Sequence, residues 1–306
     1  MKKATGYDLI VILGPTATGK TRLAALLAAA IKGEVISADS RQVYRGMDIG
    51  TGKDRDDYTV HGKKVPYHLI DIANPGDEYN VYSFQKDFYA VYEKIKNRGN
   101  RPILCGGTGF YIESVLLGYP LHPVPENPLL REKLNALSQE ELVARLQSYG
   151  PLHNTTDVLD RKRTVRAIEI KEYERKNPEI DPLPEIRAVV FGISFPRDEV
   201  RRRITERLKF RLENGMIEEV KNLLSNGLTP QQLTFYGLEY RYVTQYVTGE
   251  MTYSEMFTRL NTAIHQFSKR QMTWFRRMEK RGIKIHWIDG YWSNQKKVDF
   301  CLRMIQ

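Results

Sequence analysis

The chain has 306 residues, 41% of them hydrophobic, and carries 47 Lys+Arg against 37 Asp+Glu for a net charge of +10. It is large enough to bury a sizeable core and divide into two lobes, and no apolar run approaches the ~18 residues of a membrane span. Two cysteines, Cys105 and Cys301, keep no metal-ligand spacing with each other or with any histidine, which argues against a zinc site or a disulfide scaffold and for a reducing compartment. The positive excess suits a polyanionic partner, or only solubility.

Met1-Lys2-Lys3 imitates a signal peptide, but Asp8 interrupts the apolar stretch, so Tyr7 to Leu13 reads as a cytosolic, buried parallel strand. Gly14-Pro15-Thr16-Ala17-Thr18-Gly19-Lys20-Thr21 follows at once, and the helix-forming run Leu23 to Ile31 follows that. This spacing is a phosphate cradle. Glycines let the backbone curl N–H groups toward an anion, and the next helix adds the positive end of its dipole. Lys20 supplies a full charge, and the Thr21 hydroxyl is placed for Mg²⁺.

Glu34 to Ala38 is a second strand, and Asp39 ends it at the sheet edge where open α/β folds bind ligands. Asp39 is then either a reacting carboxylate facing the cradle or a loop-initiating cap. Arg45 to Lys53, glycine-rich and without periodicity, is expected to be a mobile active-site loop. Tyr58 to Ile72 alternates like a hairpin or edge segment, and His61 and His68 have no partners at metal spacing. Ser83 to Lys96 is an amphipathic helix, Pro102 to Cys105 a third buried strand, and Gly106-Gly107-Thr108-Gly109 a tight turn at the same edge.

Pro120, Pro123, Pro125 and Pro128 make a stiff linker. Helices follow at Leu129 to Leu137, from the capping box Ser138-Gln139-Glu140-Glu141 to about Tyr149, and from about Asp157 to Arg175, before Pro178, Pro182 and Pro184. Ile186 to Phe195 returns to strand character. Pro196 opens a long helix with Arg201, Arg202, Arg203, Arg207, Lys209 and Arg211, most of them read as a solvated face with a few available to leaving phosphates. Helices around Tyr236 to Val247 and Ser254 to Arg281 and a last strand, Ile283 to Ile288, complete the chain; Phe267, Trp274 and Phe275 read as core. The fold expected is α/β: a P-loop-type parallel sheet flanked by helices, residues 1–122 and 186–306, with a small all-helical insertion at 123–185.

The cradle is followed in order by Asp39-Ser40-Arg41-Gln42-Val43-Tyr44, Gly46-Met47-Asp48-Ile49-Gly50-Thr51, Gly106-Gly107-Thr108-Gly109-Phe110-Tyr111, Arg163-Thr164-Val165-Arg166-Ala167-Ile168-Glu169 and Lys269-Arg270-Gln271-Met272-Thr273-Trp274-Phe275-Arg276. This series, spread over nearly the whole chain, resembles the bacterial form of the tRNA dimethylallyltransferase family. The resemblance implies transfer of a dimethylallyl group from dimethylallyl diphosphate to the N6 amine of the adenosine beside the anticodon. The diphosphate would lie on Thr16 to Thr21 within the Gly14–Thr21 cradle, with Mg²⁺ at Thr21. Asp39 is implied as general base, with Thr16 and Arg207 serving the diphosphate. Implied tRNA contacts are Asp39, Ser40, Arg41, Gln42, Thr108, Arg131, Lys162, Arg163, Thr164, Val165 and Arg166, with the adenosine flipped out of its stack. The resemblance thus implies the tRNA anticodon stem-loop as partner, and a cytoplasmic monomer with no stable protein partner.

Two positions depart from the family pattern. Glu239 stands where a glycine is usual and Lys162 where a glutamine is common. The alternatives carried forward are a P-loop nucleotide kinase or free-AMP isopentenyltransferase, and a non-catalytic RNA-binding protein that uses the cradle as a switch.

Overall fold

The computed structural model of the chain describes residues 6–150, 158–178 and 183–305. The Met1-Lys2-Lys3 start, the expected helix start at Asp157, and Pro182 lie outside the described residues. Two compact units are present, Met1–Gly118 with Glu185–Gln306, and Tyr119–Pro184.

In the first unit β1 (Leu9–Leu13) is apolar at every position because both faces of its sheet are covered. Ile10 and Ile12 join one core cluster and Leu9, Val11 and Leu13 the other, the period-two split of a strand between two helical layers. The chain continues through α1 (Lys20–Ile31), β2 (Gly33–Ala38), a small hairpin of β3 (Thr59–Val60) and β4 (Lys63–Lys64), β5 (Tyr67–His68), α2 (Val81–Asn97), β6 (Arg101–Gly106) and α3 (Gly109–Leu116). After the second unit come β7 (Ala188–Ser194), α7 (Arg197–Arg211), α8 (Ile217–Ser225), α9 (Pro230–Phe235), α10 (Leu238–Val247), α11 (Tyr253–Lys280), β8 (Ile285–Asp289) and α12 (Asn294–Ile305). The six strands lie in the order β5-β2-β6-β1-β7-β8 and every pairing among them is parallel. All carboxyl ends therefore share one edge. The α/β expectation holds.

Three local readings change. Only Thr59 to Lys64 of the Tyr58–Ile72 segment is a hairpin, while Tyr67–His68 pairs with Val35–Ile36 in the main sheet. The long helix after Pro196 does not run straight: Asn214 and Gly215 leave helical geometry, Gly215 at φ 101°, and α8 sets off after the kink. The expected mobile loop is pinned. Glu219 of α8 accepts the amides of Asp48, Ile49 and Gly50 at 2.9, 2.7 and 3.1 Å together with the Tyr240 hydroxyl, and the Lys53 ammonium, fully buried, bonds Tyr44 O, Asp48 and Asp71.

The second unit is α4 (Pro128–Asn135), α5 (Gln139–Gln147) and α6 (Arg161–Lys176) around Leu134, Leu142, Leu146, Val165 and Ile168. The Ser138–Glu141 capping box opens α5.

Candidate active site

The cradle leaves β1 with its backbone already curled. Gly19 (φ 78°) and Ala17 (φ 65°) are left-handed. For alanine that conformation costs about 1–2 kcal/mol. Each buried strand residue of β1 contributes about 1.5–3 kcal/mol, so the anchored strand outweighs the strain. The Thr18 hydroxyl donates to Pro15 O at 2.9 Å inside the curl, and Lys20 Nζ lies 3.5 Å from the same oxygen. Burial pushes the Lys20 ammonium below its ordinary value; Arg207 adds to that and the Asp39 carboxylate opposes it.

Helix α7 supplies the roof, and here the solvated-face reading is corrected for the arginines that lie on one stripe. Arg203, Arg207 and Arg211 recur at four-residue spacing. The first donates from Nε to Ala17 O at 2.8 Å while stacking on Phe195, and Arg207 donates to Thr16 Oγ1. Arg211, buried, pairs with Asp54 at 3.1 Å. Burial, with Arg211 alongside, lowers Arg207 to about 10. A small cavity beside the stripe is lined by Ile204, Leu208, Ile264, Arg207, Arg211 and Glu239. Burial pushes the Glu239 carboxyl above its ordinary value.

Asp39 caps its own loop and still keeps an oxygen to offer. Its Oδ1 accepts the Arg41 amide at 2.9 Å and the Gln42 amide at 3.4 Å, and among the described residues Oδ2 takes no hydrogen bond. One half-buried carboxylate thus caps the loop and leaves its second oxygen without a described partner. The Ser40 amide donates to Thr108 Oγ1 at 3.1 Å, tying the β2 end to the β6–α3 turn. Gly106 allows that approach, since a Cβ there would stand 2.2 Å from Ala38 O. Arg41 lies over the exposed Phe235 ring, 5.3 Å from its centroid. Gln42 turns inward, donating to Gly52 O at 2.9 Å and accepting the Ser37 hydroxyl at 3.0 Å, so its amide helps pin the loop. Gln271 of α11 bridges Thr16 N and Gly107 O. Cys105 lies behind Lys20, and burial pushes its thiol up to about 12, outside nucleophilic range near neutrality.

In the second unit the residues expected on RNA divide. Thr164 and Val165 face the core, 0% and 6% exposed, with the Thr164 hydroxyl donating to Asp160 O, so their side chains are corrected from RNA contacts to packing residues. Arg131 clasps the buried Glu169 through Nε and an Nη, both at 2.8 Å, and also pairs with Glu126. Arg166 donates to Glu169 and to Val124 O. Burial alone would raise the Glu169 carboxyl, but these guanidinium bonds hold it below its ordinary value. Lys162 and Arg163 stand exposed at the start of α6.

The stripe at Arg203, Arg207 and Arg211 carried a sequence signal in its spacing. Glu219 and Gln271 carried none beyond their chemistry, since the amides Glu219 gathers lie 169 to 171 residues away and the partners of Gln271 lie 164 and 255 residues away.

Among the described residues no helix is long and apolar enough to cross a membrane. A family model described as IPP transferase matches residues 42–278, and one described as Isopentenyl transferase matches residues 7–65. The chain is 58% identical over 301 residues to tRNA dimethylallyltransferase 2 of Bacteroides fragilis, covering 98% of both chains. It is 53% identical over 300 residues to tRNA dimethylallyltransferase 1 of Parabacteroides distasonis, again over 98% of each. The crystal structure of the full-length tRNA isopentenylpyrophosphate transferase of Bacillus halodurans superposes with a TM-score of 0.69 at 31% identity, over 98% of this chain and 97% of that one. A eukaryotic dimethylallyltransferase acting on tRNA shares the fold at 22% identity, with a TM-score of 0.72 over 93% of this chain and 74% of that one. The parallel sheet, the cradle with its arginine roof and the near full-length identities agree: this chain belongs to the IPP transferase family.

Proposed function

We propose that the protein transfers a dimethylallyl group from dimethylallyl diphosphate to the N6 amine of an adenosine next to the anticodon in tRNA, releasing diphosphate. The observation that carries the proposal is the pairing of one uncommitted carboxylate oxygen, Asp39 Oδ2, with a cradle roofed by Arg207 and floored by Lys20. The exocyclic amine is a weak nucleophile because its lone pair is delocalised into the ring. A carboxylate that accepts its proton as the N–C bond forms lowers that barrier. As the allylic C–O bond breaks, negative charge grows on the diphosphate, where Lys20, Arg207 and the inward amides after Thr16 stabilise it. Thr16, held by Arg207, sets the register of the diphosphate. The enzyme forms no covalent intermediate.

Mg²⁺ fits the donor set. Among the described residues no group of three or more His, Cys, Asp or Glu forms a cage of its own. The Thr21 hydroxyl, in the first turn of α1 directly after Lys20, would hold the ion together with diphosphate oxygens. Such an ion supplies further charge neutralisation to the leaving group.

For the tRNA, Ser40, Arg41 and Thr108 at the sheet edge and Lys162 and Arg163 on α6 are the proposed contacts, with the adenosine extruded from its stack at a cost of a few kcal/mol. The same reading takes the enzyme as a cytoplasmic monomer. The test is transfer of labelled dimethylallyl from its diphosphate with Mg²⁺, comparing unmodified tRNA with free AMP. Label in tRNA alone supports the proposal; label in AMP alone moves the protein to free-nucleotide transfer. Label in neither, alongside ATP turnover, makes it a kinase.

A further inference from the structure

Gln271 lies in the middle of α11, 7% exposed, with its amide between two loops of the sheet edge. Its Oε1 accepts the Thr16 amide of the cradle at 2.9 Å, and its Nε2 donates to Gly107 O of the β6–α3 turn at 2.9 Å. One partner is a donor and the other an acceptor, so the amide has a single productive orientation. Gly107 makes room for it: a Cβ there would stand 2.5 Å from Gln271 Nε2. The next residue, Thr108, holds the Ser40 amide, and Ser40 follows Asp39. Hydrogen bonds therefore run from the diphosphate cradle through Gln271 to the turn, and from the turn to the loop that bears the carboxylate.

We infer that Gln271 is a positioning residue for prenyl transfer, setting the separation between the diphosphate anchor at Thr16 and the proton acceptor at Asp39. The inference rests on the prenyl-transfer reading. Gln271 touches neither substrate in this role. It pairs the Thr16 amide, which removes that N–H from the donors offered to phosphate, and leaves the Thr16 hydroxyl to Arg207. Losing the brace lets the two halves of the site move independently, and a misplacement of about 1 Å costs on the order of 10²-fold in a reaction that depends on near-attack geometry.

The experiment is single-turnover transfer to tRNA at saturating dimethylallyl diphosphate, with tRNA affinity measured separately, for wild type, Gln271→Met, Gln271→Ala, Gly107→Ala and the Gly107→Ala/Gln271→Ala double variant. The expected result is a fall of about tenfold or more in the chemical rate for Gln271→Met, with tRNA Kd within about twofold. Gly107→Ala, whose new methyl displaces the amide, should lose rate in the wild-type background and nothing further beside Gln271→Ala. Unchanged rates with only a lowered Tm would make Gln271 a packing residue and overturn the inference, as would rate losses that multiply in the double variant. If Gln271→Met does not fold, the Gly107→Ala pair decides alone. An inactive wild-type enzyme would instead sink the functional reading, and the inference with it.

Discussion

Helices α6 and α7 look alike in sequence, each opening on a dense run of arginines, yet the two runs do different work. On α7 the stripe Arg203, Arg207 and Arg211 is drawn down onto the cradle and its neighbouring loop by Ala17 O, Thr16 Oγ1 and Asp54. On α6 Arg161 reaches the carbonyls of Leu134, Asn135 and Leu137 at the end of α4, Arg166 reaches Glu169, and Lys162 and Arg163 of the opening run are left to solvent. The lesson is that a cation's function follows from what its helix face meets. An arginine next to an uncommitted anion site can serve chemistry, an arginine on a buried carboxylate holds the fold, and an exposed lysine or arginine is available to a polyanion.

The largest expected effects fall on the cradle side. Asp39→Asn keeps the cap, because an amide oxygen still accepts from Arg41, but removes the proposed proton acceptor. The chemical step should fall by roughly 10²-fold or more while tRNA affinity stays within a few fold. Arg207→Gln should lower the single-turnover rate by on the order of 10²-fold, as loss of a charged donor to the leaving diphosphate does. The same assay on Arg166→Gln should show a far smaller rate change. Equal losses at Arg207 and Arg166 would erase the distinction between the two helices.

The elements holding the cradle were legible because their signals are local: a strand apolar at every position, a glycine-bearing turn of fixed spacing and a capping box each declare themselves within about ten residues. Asp39 was legible as a position at a strand's carboxyl end. What was not legible depends on long closures. Nothing near Asp48 to Gly50 announces that a glutamate 169 to 171 residues later will gather their amides, so the segment read as mobile. Arg207 entered through family resemblance, and the four-residue spacing it shares with Arg203 and Arg211 shows why a charge run deserved sorting by helical face. Thr164 and Val165 sit inside a motif expected on RNA, and only the packing of α6 against α5 shows that they point inward.

Glu169 sharpens the comparison from the structural side. Glu169→Gln removes the charge that Arg131 and Arg166 share, and it should destabilise the helical unit by about 1–3 kcal/mol, the guanidiniums being one-third exposed and so partly relieved by water. Urea denaturation followed by helix ellipticity checks this, with no change in midpoint counting against the role. Acid should act in the same direction. A carboxyl held below its ordinary value stabilises the fold above its unfolded pKa and loses that contribution as pH falls through the folded one. Glu34, clasped by Arg98, Asn100 and His68 and held down to about 2 from 4.5, should lose its contribution across that window, and Glu34→Gln should flatten the acid limb of a Tm-versus-pH curve there.

The smallest expected effect belongs to the cations the fold leaves exposed. Lys162 and Arg163 have no ion pair among the described residues, so replacing both with Gln should cost little stability, within about 0.5 kcal/mol. If they meet phosphates, each contact releases condensed counterions, and the plot of log affinity for tRNA against log salt should become shallower by about 1–2 units. Affinity at low salt should fall several fold, and the single-turnover rate at saturating tRNA should stay put, because no reacting group has moved. An unchanged slope would show that α6 does not face the tRNA and would leave its basic start a solubility feature. A reduced rate at saturation would move Lys162 and Arg163 across the divide, into the positioning of the adenosine.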